Sequence, residues 1–281
     1  MVKTIGVCGS GTMGSGIAQV AAMAGYATIL YDLDPGMIAK AKTAMEKNWS
    51  VLAEKKKITA ADHQAALGRL TFTSDIRRCV ADIVIEAIVE KPDIKLGLFI
   101  ELAAVNRKDT ILASNTSSLS LDALAEKIPG PDRFAGMHFF NPAPVMNLVE
   151  VIRTKYATAA TIDTIVQLAR SLGKTPVLCT DSPGFIVNHV ARPYYLEALR
   201  LLETGQSDIA TIDGLLEATG FKMGPFRLMD LIGNDINYAV SESVYEAMGR
   251  PERLKPSPIQ RQKVAEGQLG RKTGKGYYRY D

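Results

Sequence analysis

The stretch Thr4-Ile5-Gly6-Val7-Cys8-Gly9-Ser10-Gly11-Thr12-Met13-Gly14 sets a short apolar strand directly before a G-x-G-x-x-G run. An alanine-rich helix follows at about 13–25, then a second apolar strand at 27–31 that ends at Asp32. In this order each glycine has a task. Gly9 permits a tight turn, and Gly11 lets the backbone approach a pyrophosphate. Gly14 lets the next helix pack closely, with the free N–H groups around Thr12 and Met13 aimed at the phosphates. Asp32 lies 18 residues after Gly14 (32 − 14), near the spacing of ~20 at which an acid takes the ribose hydroxyls. Its charge would repel the 2′-phosphate of NADP, so the expected cofactor is NAD.

Working outward, the 281 residues suffice for one large domain or two. Hydrophobic content of 47% and charged content of 22% are those of an ordinary globular protein. A formal charge of +3 is too small to point to nucleic acid. Lysines do cluster at Lys55, Lys56 and Lys57, and Arg271, Lys272 and Lys275 lie near the C-terminus. Each cluster reads either as a solvated face or as an anchor for ligand phosphates. Cys8, Cys79 and Cys179 are widely spaced in apolar runs, which suggests reduced core thiols without metal-like spacing. No apolar stretch approaches the ~20 residues of a membrane span. A first strand beginning at residue 2 leaves no room for a leader, so the expected compartment is the cytoplasm.

From residue 2 to about 180 short apolar strands alternate with helices, the α/β pattern. Strands are expected at 2–8, 27–31, 83–87, 110–113, 133–138, 147–151 and 176–179. A long helix at about 35–57 starts with Asp34-Pro35, a cap followed by proline at the first helical position. The punctuation changes at Asp181-Ser182-Pro183-Gly184. Beyond it helical periodicity dominates, at about 185–203, 208–218, 227–248 and 258–266. The reading is a Rossmann-type NAD-binding domain over 1–184 and an all-α domain over 185–281. Along those helices Phe185, Ile186, Leu196, Leu199, Leu202, Leu215, Leu216, Met229, Ile232 and Tyr238 exceed what so small a core needs. The surplus predicts that this domain also packs on a partner subunit.

Ligands of open α/β sheets bind beyond the carboxyl ends of the strands. Strand 83–87 leads to Glu90 and Lys95, and the next leads to the polar loop Ser114-Asn115-Thr116-Ser117-Ser118. Another reaches His138-Phe139-Phe140-Asn141-Pro142. Among three histidines (His63, His138, His189), His138 alone follows a strand at its carboxyl end. Hydride transfer from an alcohol needs a base beside the hydroxyl, and imidazole titrates close to neutrality. Glu150, twelve residues on, is of the type that orients such a histidine and stabilises its protonated form. Sequence distance alone does not establish that pairing.

With these residues in view, the chain resembles the short-chain 3-hydroxyacyl-CoA dehydrogenases, a group that includes the bacterial 3-hydroxybutyryl-CoA dehydrogenases. The resemblance runs through Gly9-Ser10-Gly11-Thr12-Met13-Gly14, Val84-Ile85-Glu86-Ala87-Ile88-Val89-Glu90 and Ala113-Ser114-Asn115-Thr116-Ser117-Ser118-Leu119. The block from His138 to Met146 is its most specific part. Asp181 to Asn188, Met223-Gly224-Pro225-Phe226 and Arg271 to Tyr278 extend it to the end of the chain. The resemblance implies that His138 is the general acid/base and Glu150 its orienting carboxylate. It implies that Ser117 and Asn188 bind the reacting substrate, and that Ser117 and Asn141 line the nicotinamide side. Glu90, Lys95 and Lys272 would surround the cofactor, and Asn48 and Lys55 would hold the CoA moiety. It further implies an acyl-CoA substrate, a place in fatty-acid or butanoate metabolism, and a homodimer built through the helical domain. Two other readings stand beside it. One is a related dehydrogenase of a free hydroxy or sugar acid, and the other is a non-catalytic NAD-binding protein.

Overall fold

In the computed structural model, residues 2–56 and 58–280 are described. Expectations that fall on Met1, Lys57 and Asp281, namely the outer domain bounds, the last residue expected of the long helix and the last lysine of its run, lie outside the described residues. The chain divides into two units, Met1–Asp181 and Ser182–Asp281.

In the first unit, apolar strands separated by helices are brought side by side into one sheet. The elements are β1 (Thr4–Cys8), α1 (Thr12–Met23), β2 (Ala27–Tyr31), α2 (Pro35–Glu54), α3 (Ala60–Gly68), β3 (Leu70–Thr73) and β4 (Ile83–Glu86). They continue with α4 (Pro92–Val105), β5 (Ile111–Ser114), α5 (Leu121–Ala125), β6 (Phe134–Phe139), β7 (Leu148–Arg153), α6 (Ala159–Ser171) and β8 (Thr175–Thr180). The sheet order is β3-β2-β1-β4-β5-β6-β7-β8. Every neighbouring pair is parallel except β6 and β7, which are antiparallel. The order reverses at β1, between β2 and β4, and such a switch point opens a crevice beyond the strand ends. Ile5, Val7, Ile83 and Ile85 are wholly buried in the core, as expected of central strands covered on both faces. Seven strands were expected, and among the described residues eight form. The additional β3 is only four residues long, and with α3 it lies in a stretch that carries no strong period.

The second unit holds α7 (Val187–Glu203), α8 (Ile209–Ala218), α9 (Pro225–Ile232), α10 (Asn234–Ala247) and α11 (Pro258–Ala265). Leu196, Leu199, Phe226 and Met229 are buried together at its centre. The single helix expected over 227–248 is in fact two. Gly233 stands between them at φ 104°, a conformation open to glycine that no α-helix continues through. The long helix likewise ends at Glu54, with Lys56 at φ 55° after it. Among the described residues no helix is long and apolar enough to cross a membrane.

Candidate active site

The turn after β1 has the geometry its glycines allow. Gly9 adopts φ 99°, and a Cβ there would stand 2.6 Å from the carbonyl oxygen of Ala87. A Cβ on Gly14 would come within 1.7 Å of the Gly9 carbonyl oxygen, so α1 packs on the turn only because Gly14 has none. At Gly11 a Cβ would meet nothing within 4 Å. Packing within the protein therefore does not require glycine at that position, whereas an approaching phosphate would. Gly11 caps α1 without any side-chain hydrogen bond, which leaves the amides of the first turn directed outward beside the turn. Asp32 faces this loop. Its Oδ2 accepts from the amide of Ser10 at 2.7 Å and from Ser10 Oγ at 2.8 Å, and its Oδ1 accepts from the amide of Asp34 at 3.0 Å. Backbone cradle, helix terminus and anchored carboxylate together fit an adenine dinucleotide.

Two strands away, an ion network joins the loops after β4 and β5. Lys95, expected beside the cofactor, has a side chain only 1% exposed. It donates to Glu86 at 2.5 Å and to Glu90 at 3.0 Å. Glu86 is fully buried and also accepts from the Ile88 amide at 2.8 Å and from Ser114 Oγ at 2.6 Å. Glu90 accepts from the Thr116 hydroxyl, from the Ser117 amide at 3.2 Å and from Ser118 Oγ at 3.0 Å. Burial works to raise the Glu90 carboxyl, but the charge of Lys95 and the hydrogen bonds from Thr116, Lys95 and Ser118 outweigh it and hold the group below the usual carboxylate range. The ammonium of Lys95 thus acts as a strut that fixes Glu90 and, through it, the loop carrying Ser117.

His138 and Glu150 are direct cross-strand partners in the antiparallel β6–β7 ladder. Residues opposite one another in such a ladder send their side chains to the same face. Nδ1 of His138 lies 2.7 Å from Oε2 of Glu150, with the two residues 6% and 1% exposed. The ring also packs against Phe140, at 4.6 Å between centroids. At the end of β6 the Phe139 amide donates to Asn115 Oδ1 at 2.8 Å, tying that strand end to the β5 loop. Alongside in β8, burial followed by the carboxylates of Glu150 and Asp181 pushes the half-buried Cys179 thiol up to about 12, which favours the protonated form.

The remaining expected residues fall into three places. Asn141 is exposed on the loop after β6. Asn48 and Lys55 are exposed seven residues apart at the C-terminal end of α2, which places them near one face, two turns apart. Asn188 and Lys272 belong to the second unit. Asn188 lies in the first turn of α7, where its carbonyl accepts from Arg192 Nε at 2.9 Å. Lys272 Nζ is paired with Asp235 at 2.6 and 2.7 Å. The structure adds roles for Glu86, Ser114 and Asn115, which the sequence named only as parts of longer stretches. A signal for Glu86 was present, since an acid closing the otherwise apolar run Ile83-Val84-Ile85 must find a partner when buried.

A dinucleotide-binding sheet with a buried His–Glu pair on its neighbouring strands defines an NAD-dependent oxidoreductase. Residues 4–182 match the family described as "3-hydroxyacyl-CoA dehydrogenase, NAD binding domain", and residues 184–280 match "3-hydroxyacyl-CoA dehydrogenase, C-terminal domain". The chain belongs to the 3-hydroxyacyl-CoA dehydrogenase family. It is 45% identical to the 3-hydroxyadipyl-CoA dehydrogenase of Escherichia coli, over 99% of this chain but 59% of that protein's length. It is 40% identical to the mitochondrial hydroxyacyl-coenzyme A dehydrogenase of Sus scrofa, covering 100% of this chain and 92% of the relative. The crystal structure of (S)-3-hydroxybutyryl-CoA dehydrogenase from Ralstonia eutropha superposes with a TM-score of 0.95 at 37% identity, covering 100% of both chains.

Proposed function

We propose that this protein interconverts an (S)-3-hydroxyacyl-CoA, of the size of 3-hydroxybutyryl-CoA, and the corresponding 3-ketoacyl-CoA with NAD. The observation that carries the reading is the His138–Glu150 contact of 2.7 Å in the domain that holds the dinucleotide turn. The Gly9–Gly14 turn and Asp32 would hold the NAD, which when bound supplies the hydride acceptor in oxidation and the donor in reduction. His138 takes the proton of the 3-hydroxyl in oxidation and returns it in reduction. The Glu150 carboxylate accepts from Nδ1–H, so the proton exchanged with substrate is carried on Nε2. The carboxylate also stabilises the imidazolium that forms, and the imidazolium in turn stabilises the developing alkoxide. Ser117 orients the substrate oxygen, and Asn141 lies on the nicotinamide side; the part in substrate binding that the resemblance implies for Asn188 is carried by the helical unit. On α2, Asn48 and Lys55 hold the CoA moiety.

The assembly we propose is a homodimer through the helical domain. Of the apolar residues named above, Leu196, Leu199 and Met229 are buried in that domain's own core, while Leu215 is 64% and Ile232 36% exposed. Light scattering in solution checks the mass. The cytoplasm stays a proposal drawn from the sequence, to be checked by cell fractionation.

The enzymatic reading is tested by following NADH oxidation with acetoacetyl-CoA, beside free acetoacetate and beside NADPH. Turnover confined to the thioester with NADH is expected. Comparable turnover of the free acid would put a free hydroxy-acid dehydrogenase in its place, and none with either would favour a non-catalytic NAD binder.

A further inference from the structure

Lys174, which enters none of the roles above, is a buried lysine just before β8, with only 8% of its surface exposed. Among the described residues it has no carboxylate partner. Its ammonium instead donates to two main-chain carbonyls of one loop, Ala143 at 2.7 Å and Met146 at 2.8 Å. A cation held away from water in this way is costly unless its hydrogen bonds are well made. Burial accordingly lowers its pKa from that of an ordinary lysine.

The loop so held starts at the end of β6 with Asn141 and turns on itself, the amides of Val145 and Met146 both donating to the Pro142 carbonyl at 2.9 Å. Its other side rests on α1. A Cβ built on Gly16 would stand 3.1 Å from Ala143 Cβ and 3.2 Å from Pro144 Cδ. The loop is therefore pressed between the helix whose N-terminus serves the phosphates and an ammonium that pulls on two of its carbonyls. Nothing in His138 or Glu150 needs this arrangement, since their strands are paired without it.

We propose that Lys174 is a positioning residue for the dinucleotide site, its ammonium clamping the Asn141–Met146 loop on α1 so that Asn141 is set against the nicotinamide half of NAD. The inference rests on the NAD reading above. Because the clamp acts on the half of the ligand beyond the phosphates, its loss separates two ligands that share the adenine half. NADH carries the nicotinamide, and ADP-ribose does not.

The experiment is a pair of binding titrations, NADH and ADP-ribose, on wild type, Lys174→Met and Gly16→Ala. For Lys174→Met the Kd for NADH is expected to rise about tenfold, the worth of one well-placed hydrogen-bonded contact, while that for ADP-ribose stays within about twofold. Gly16→Ala pushes the loop from its opposite side without touching the ammonium, and the same split is expected. It keeps the inference open to refutation should Lys174→Met not fold. Equal changes for both ligands, or no change for either, in a folded variant would mean that Lys174 serves stability alone and would overturn the clamp. Wild type that binds neither ligand would instead remove the NAD reading itself, a result visible before any variant is compared.

Discussion

Buried carboxylates are handled in opposite ways in the two units. In the first, Glu86 and Glu150 each face a side chain that can carry a proton, Lys95 at 2.5 Å and His138 at 2.7 Å. In the second, the buried Asp213 and Asp230 are satisfied by neutral donors. Asp230 accepts from the amides of Tyr277 and Tyr278 at 2.9 Å each, from Asn234 Nδ2 at 2.9 Å and from the Tyr280 hydroxyl at 3.0 Å. Asp213 accepts from the amides of Phe226 at 2.9 Å and Arg227 at 3.1 Å, and from the Tyr278 hydroxyl at 2.8 Å. A carboxylate ringed by fixed dipoles is a clamp, here fastening the C-terminal segment and the start of α9. A carboxylate facing a protonatable partner can stabilise charge that comes and goes, which is what proton transfer requires.

The sharpest way to break this contrast is His138→Ala. It should lower kcat by about a thousandfold while the NADH Kd stays within about twofold. Near-normal turnover in steady-state kinetics would remove His138 as the base. Glu150→Gln keeps the shape and discards the charge, so kcat should fall by about a hundredfold, less than for loss of the imidazole itself. A drop in melting temperature with unchanged kcat would make Glu150 a clamp like the aspartates.

Asp230→Asn is the counterpart in the helical unit. It turns an amide NH2 towards donors that need an acceptor, at a cost of about 3 kcal/mol, read by chemical denaturation. The pH dependence of kcat should not move, and a shifted profile would place Asp230 among the catalytic groups.

The smallest effect concerns Asp82, an acid at the sheet's far end. It accepts from the amides of Lys3 at 2.7 Å and Thr4 at 2.9 Å and from Arg107 at 2.7 Å. Burial works to raise its pKa, but the Arg107 hydrogen bond and the two amides prevail and lower it to about 2. A folded pKa below the unfolded ~3.9 stabilises the protein above that pH, and the contribution is lost as pH falls towards about 2. Asp82→Asn should cost about 1 kcal/mol at neutral pH and flatten that part of the acid limb. An unchanged acid limb would exclude this role.

Legibility differed from element to element for physical reasons. The Gly9–Gly14 turn was readable because its demands are local, a positive φ at one residue and a missing Cβ at another. The strand Leu70–Thr73 was not, being too short for alternation to register, and its place was decided by parallel pairing with β2. The helix break at Gly233 was hidden because apolar spacing continues on both sides of it. For Lys95 the sequence suggested a place by the cofactor crevice from its nearness to a strand end, and gave no sign of its ion pairs with Glu86 and Glu90. Whether a lysine there points outward or is drawn in by two acids depends on the packing of α4 against the sheet.

By itself, then, the sequence determined the dinucleotide turn, Asp32 at its distance, and a lone histidine at a strand's carboxyl end. These are properties of short segments, where backbone stereochemistry and residue type suffice. The pairing of Glu150 with His138, implied by the resemblance, became a contact only in the tertiary structure, which alone decided that Lys95 is a strut between Glu86 and Glu90 and that Lys174 holds the loop bearing Asn141. Those contacts join separate segments of the chain: the first depends on strand direction and register, where a shift of one residue would turn a side chain to the other face, and the two lysine contacts depend on how a helix and a loop pack on the sheet.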